Sequence, residues 1–181
     1  DKQGVIWVSG RGGQKLVRVD PQTGNISSTA PSGSFDPYGI ALDEHGRVWI
    51  ANCCSYHGTY MYDPQAGSWH AIGTAPRPRG IVSNGKGRVF VANDESNSVA
   101  VIDSNNLLNI GSIGLGSGRF PLGMAVDVNG YIWAVNQNSS SVHKIDGDSL
   151  NIIGEYPVGS SPYTYSDMTG TAFFDVIPPG W

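Results

Sequence analysis

The sequence predicts an all-β chain made of equivalent four-stranded antiparallel sheets, and three observations predict it. Charged residues make up only 14% of the chain, with just 3 Glu and 4 Lys, so the unbranched charged side chains that usually fill helix surfaces are nearly missing. The 25 Gly and 11 Pro among 181 residues interrupt almost every ten-residue window with turn formers. Finally, Gly, any residue, Val or Ile, then Trp or Phe occurs four times, at Gly4-Val-Ile-Trp7, Gly46-Arg-Val-Trp49, Gly87-Arg-Val-Phe90 and Gly130-Tyr-Ile-Trp133. The aromatics stand 42, 41 and 43 positions apart, and self-similarity at such a period marks a repeat architecture.

Taken in order, the chain begins in the second strand of a unit, Val5 to Ser9, and its first turn-rich close is Asp20-Pro-Gln-Thr-Gly24. The second unit is complete. Its strands are expected at Gly39 to Leu42, Arg47 to Ala51, Thr59 to Tyr62 and Ser68 to Ile72, with Asp43-Glu-His-Gly46 as the first hairpin turn. These runs are too short for helices and lack a 3.6-residue period. The run Val48-Trp49-Ile50-Ala51 does not alternate, which suits a strand covered on both faces. The other units repeat the plan: Pro37-Tyr-Gly39, Pro78-Arg-Gly80 and Pro121-Leu-Gly123 open innermost strands, Asn52, Asn93 and Asn136 follow the aromatics, and Asp63, Asp103 and Asp146 precede turns. Glycine on the innermost strand fits a place where converging sheets leave least room.

A repeat of this length with four strands is a propeller blade. The fold class is therefore an all-β propeller of four-stranded antiparallel blades, about four repeats of 41–43 residues. The repeats fall near 4–35, 36–75, 76–119 and 120–161, with a closing strand at 162–168 that would complete the first blade and a C-terminal tail at 169–181. Phe174 also falls where a fifth unit would place its aromatic, so a section of a larger ring is a second reading of the same spacing.

The units GIALDEHGRVWIAN and GMAVDVNGYIWAVN resemble blades of the NHL, YncE and virginiamycin B lyase-like propeller superfamily, over nearly the whole chain. The stretch Ser161 to Gly170 further resembles the end of propeller repeats in secreted deltaproteobacterial proteins, which implies a secreted or periplasmic location. The resemblance also implies where chemistry sits. Loops leading into the innermost strand and loops joining the second and third strands share one face and line a funnel. On this chain the first set holds Asp36, Arg77, Arg79, Arg119 and Tyr163, and the second holds Arg11, Cys53, Cys54, Tyr56, His57, Asp94, Glu95, Gln137 and Asn138.

Four of the seven arginines fall in that set, and the guanidinium fork suits carboxylate or phosphate groups. The bland alternative is that they pair with Asp36, Asp94 and Glu95 around the rim. The ligand-binding candidates are Arg77, Arg79, Arg119, Asp36, Tyr56, His57, Cys53 and Cys54, and the partner expected is a protein or a small anionic ligand. Cys53 and Cys54 are adjacent, with a Cα separation of about 3.8 Å fixed by the trans peptide, below the usual span of disulfides. Two reduced thiols packed as small apolar groups are therefore the default reading, and a vicinal disulfide is the alternative. His57 is the only histidine near the funnel, and the histidines show no zinc spacing. No cofactor is expected; the alternative is calcium or magnesium held by oxygens of Asp94, Glu95, Asn93 and Asn136.

The formal charge of -4 argues against nucleic acid as a partner, and no apolar run approaches membrane-spanning length. The start at Asp1-Lys2-Gln3 shows no charged leader followed by an apolar stretch, and a mature product whose signal has been removed stays open. The functional expectation is a noncatalytic secreted binding or assembly module. The alternatives are a metal-dependent lyase or lactonase-like enzyme, and one section of a larger ring, filament or homo-oligomer. Lyases of the superfamily pair a His with a Glu around magnesium, and with only Glu44, Glu95 and Glu155 in the chain no matching pair is found.

Overall fold

The computed structural model describes residues 1–54, 58–164 and 168, and all regular structure among them is strand. The first sheet has three strands, β1 (Ile6–Gly10), β2 (Lys15–Val19) and β3 (Ile26–Thr29). Three four-stranded sheets follow: β4 (Pro37–Leu42), β5 (Val48–Asn52), β6 (Thr59–Asp63) and β7 (Ser68–Ile72); β8 (Pro78–Ser83), β9 (Arg88–Asn93), β10 (Ser98–Asp103) and β11 (Leu108–Gly114); β12 (Pro121–Val126), β13 (Tyr131–Asn136), β14 (Ser141–Asp146) and β15 (Ile152–Pro157). Each sheet runs in chain order with antiparallel neighbours, and the innermost strands β4, β8 and β12 lie side by side. The strands expected in the second unit match to within two residues at every boundary. The tail at 169–181 lies outside the described residues, as do residues 165–167 of the proposed closing strand 162–168.

Three apolar clusters hold the sheets together, and each spans one junction between them. Leu16 and Phe35 of the first unit meet Val48 and Ile50 of the second. Trp49, Ala51, Met61 and Ile72 meet Ile81, Val89, Val91, Ala100 and Ile102 of the third. Phe90, Ala92, Val99 and Val101 meet Met124, Val126, Ile132, Ala134 and Ile145 of the fourth. Because successive side chains point to opposite faces, Val89 and Val91 look back while Phe90 and Ala92 look forward. Both faces must therefore be apolar, which is why the second strands do not alternate.

The same rule identifies two faces with no neighbouring sheet among the described residues. Ile6 and Val8 occupy the backward-looking positions of Val48 and Ile50, yet are 51% and 47% exposed where the latter are 0%. At the other end Trp133 takes the forward-looking place of the fully buried Trp49 and Phe90. It is only half-buried, beside Tyr156 and with Lys144 Nζ over its ring.

Polar groups fix each unit internally and to the next. Asp1, Asp43 and Asp127 each accept two backbone N–H groups on Oδ1 and the indole Nε1 of Trp7, Trp49 and Trp133 on Oδ2, at 2.8–2.9 Å. In the third unit the aromatic is Phe90, which has no donor, and the acid is replaced by Asn84, which keeps only the backbone bonds. Burial opposes ionisation of Asp127, but the Trp133 indole and the N–H groups of Asn129 and Tyr131 outweigh it, and its carboxyl titrates below the ordinary range. Asp20, Asp63, Asp103 and Asp146 each cap the turn between the third and fourth strands through Oδ1.

Arginines staple neighbouring sheets on this side of the molecule. Arg47 donates to Ser104 O at 2.8 Å, and Arg88 donates to Gly147 O and Asp148 O at 2.7 and 2.6 Å. The glycine of the innermost strand is explained at Gly123, where an added Cβ would collide with the Thr164 side chain. The Asp–Trp pairing yields a double-mutant cycle. Asp127→Asn and Trp133→Phe each destabilise, and the double variant, which copies the third unit, loses less than the sum by about 1 kcal/mol; strict additivity in denaturant unfolding would contradict the pairing.

Candidate functional site

Backbone hydrogen bonds bring the two loop sets together. Cys53 N donates to Asp36 O, Asp94 N to Arg77 O, and Gln137 N to Phe120 O, so each loop after the second strand is laced to the segment leading into the innermost strand. The loop of β9 and β10 ends on Asn97 in a left-handed conformation (φ 51°), and its Oδ1 accepts from Arg119 N and Phe120 N. Ser140 repeats this geometry (φ 51°), its Oγ accepting from Ser161 N. The lead-in to Pro162 is thus built like the lead-in to Pro121. Asn52 Oδ1 accepts from Asp36 N at 2.6 Å.

The centre of the face is Asp94, whose carboxylate is fully buried. Its Oδ2 receives Arg79 Nε at 2.6 Å and lies 3.3 Å from Arg77 Nη2, while Oδ1 has no hydrogen-bond partner. Arg79 also donates from Nη1 to Cys54 Sγ at 3.1 Å, and its guanidinium stacks 5.0 Å from the centre of the Tyr38 ring. Arg77, 33% exposed, lies 5.4 Å from the centre of Phe120. Two cations therefore share one buried anion.

Around this centre the other charges pair. Arg11 makes two bonds to Asp36 at 2.9 and 3.2 Å, which raise its already high pKa further. Tyr38 Oη bonds Tyr163 Oη at 2.7 Å, and burial followed by this bond pushes the Tyr38 phenol up to about 12. Arg119 holds Glu155, with Nη2 2.9 Å from Oε2. Ser141 Oγ donates to the same carboxylate, and this bond is the first cause of a Glu155 pKa below the ordinary range. Buried His143 accepts from Asn136 Nδ2 on Nδ1, at 2.7 Å. Burial, helped by Arg119, lowers its pKa against the pull of Glu155, so the ring is neutral at pH 7.

Of the residues singled out from the sequence, Arg79, Asp94, Cys54 and Arg77 come together, with Asp36 and Cys53 beside them and Arg119 in the neighbouring lead-in loop. Tyr56 and His57 lie outside the described residues. Cys53 and Cys54 are joined as a disulfide, which corrects the default reading of two reduced thiols and matches the alternative. Of the four oxygen-bearing residues expected to hold a metal, Asn93 and Asn136 end strands of different sheets, Glu95 is exposed, and Asp94 is already bound by arginines. Asn93 Oδ1 and Asn136 Oδ1 are buried without partners. Among the described residues no group of three or more His, Cys, Asp or Glu is placed to hold a metal ion.

Sequence reasoning missed Tyr38 and Glu155. The signal for Tyr38 was available, since it holds the middle place of the Pro-x-Gly pattern it shares with Arg79 and Leu122, and with Tyr163 where Thr164 replaces the glycine, and three of these four meet at the centre. Glu155 sits on an outermost strand, β15, and nothing in its local sequence marks it.

No protein-family model matches the chain, and no curated protein matches it. Solved structures do. A streptogramin B lyase structure superposes with a TM-score of 0.81 at 17% identity, covering 94% of this chain and 56% of that one. A catalytically inactive virginiamycin B lyase from Staphylococcus aureus with quinupristin gives 0.79 at 16%, covering 93% and 57%. Hydrazine synthase from Kuenenia stuttgartiensis gives 0.77 at 21%, covering 86% and 47%. The chain spans about half the length of the structures it matches. With its repeated antiparallel sheets packed face to face, it has the β-propeller fold of virginiamycin B lyase.

Proposed function

We propose that the chain is a noncatalytic propeller module that holds a small anionic ligand, through a carboxylate or phosphate group, on its loop-lined face. The observation that carries this reading is the sharing of Asp94 by Arg77 and Arg79. Arg79 is the closer partner and is buried, which leaves the partly exposed Arg77 as the less neutralised guanidinium of the pair. Its planar fork presents paired donors to an incoming anion. The enzyme reading has less support: Asp36, Asp94 and Glu155 are each held by an arginine, and His143 is buried with Nδ1 occupied. A secreted or periplasmic location accords with the disulfide, since such bonds persist in oxidising compartments. Calorimetric titration with inorganic phosphate and with succinate tests the reading. Saturable binding that weakens with salt is expected, and Arg77→Gln should weaken it about tenfold. No binding of either probe, or an unchanged affinity in the variant, would overturn it.

A second reading, that these units are one section of a larger ring, is favoured by the exposed faces at Ile6 and Val8 and at Trp133 and Tyr156. Both have the composition of the buried junctions between the internal sheets. The match to the streptogramin B lyase structure leaves about three units' length of that chain uncovered. In sedimentation velocity the 181-residue chain should associate in a concentration-dependent way, and Val8→Asp should suppress it. A single 19.2 kDa species at every concentration would contradict this reading.

A further inference from the structure

We propose that Cys53–Cys54 is a reducible two-electron site whose reduced form presents Cys54 as a thiolate to Arg79. Three observations carry the assignment. The two residues differ in burial: Cys53 is fully buried, with its N–H bound to Asp36 O, whereas Cys54 is half-buried in the loop that follows β5. Cys54 Sγ already accepts Arg79 Nη1 at 3.1 Å, so a cation stands at the atom where negative charge would appear. Finally, one carboxylate serves two cations, since Oδ2 of Asp94 is shared between Arg79 and Arg77. The local balance before reduction is two guanidinium groups against one carboxylate, and a thiolate at Cys54 would complete it. A neighbouring guanidinium favours the charged form of a thiol.

The chemistry balances with a small dithiol as reductant. One thiolate of the dithiol attacks Sγ of Cys54, the less buried cysteine, forming a mixed disulfide and breaking the Cys53–Cys54 bond, and Cys53 leaves as a thiolate that takes a proton. The second thiol of the reductant, after losing its proton, attacks its own partner sulfur. This closes a cyclic disulfide and expels Cys54 as a thiolate facing Arg79. The dithiol loses two electrons and the cysteine pair gains them. Arg79 is a positioning residue in this step: it acts on the charge of Cys54, not on the reductant.

The test is made on the folded chain with dithiothreitol as the dithiol and iodoacetamide as the trap, read by intact mass and peptide mapping. Reduction should add two hydrogens while the circular dichroism of the fold persists. Cys54 should then be alkylated before Cys53, with a pH midpoint below the ordinary thiol value of about 8.5. Arg79→Gln should move that midpoint upward by about one unit, a tenfold slower reaction at pH 6.5, and Arg79→Lys should restore most of the rate. Failure of the folded protein to be reduced would overturn the proposal. So would a wild-type midpoint at or above about 8.5, which needs no variant to fold, or equal profiles for wild type and Arg79→Gln.

Discussion

Each sheet of this molecule is stable only because another sheet covers its face. A single four-stranded sheet of this size exposes two apolar surfaces, and each fully buried Val, Ile or aromatic side chain contributes about 1.5–3 kcal/mol relative to exposure. The three clusters each lie across a junction, not within a sheet. Everything else follows from that geometry. Second strands must be apolar on both sides, innermost strands converge where a Cβ at Gly123 finds no room, and loops of adjacent units are brought to one face.

Polar groups then set register and spacing without competing for the core. The carboxylates of Asp43 and Asp127 anchor an indole and a hairpin together. Where the indole is lost, at Phe90, the charge is lost with it, since an unpaired carboxylate beside a buried ring would be costly. Arginines reach across junctions on both sides of the molecule: Arg47 and Arg88 hold the turns of the following sheet, and Arg11 and Arg79 hold the loops of the funnel side. The rarity of other charges makes these contacts specific, because few alternative partners exist for them.

The architecture was legible in the sequence because it is periodic. Glycine, aromatic and Asn at matched offsets identify strands and turns even where single-strand signals are weak, and the strands of the second unit were placed to within two residues. The site was legible only in outline. Sequence position placed Arg77, Arg79, Asp94 and Cys54 on one side, but their meeting depends on contacts between units, for which no local spacing exists. Arg47 and Arg88 look like ordinary hairpin residues until the next sheet is in place. Glu155, which holds Arg119 from an outer strand, has no counterpart in the pattern. For Cys53 and Cys54, adjacency argued for reduced thiols, and the structure joins them instead.

Amide hydrogen exchange measured strand by strand tests most directly whether stability resides in the junctions between sheets. Strands β9 and β10, covered on both faces by neighbouring sheets, should exchange only through global unfolding, whereas β1 and β2, with one face open, should open earlier and independently. Equal protection of β1 and β9, or the slowest exchange in an outer strand such as β11, would contradict the account.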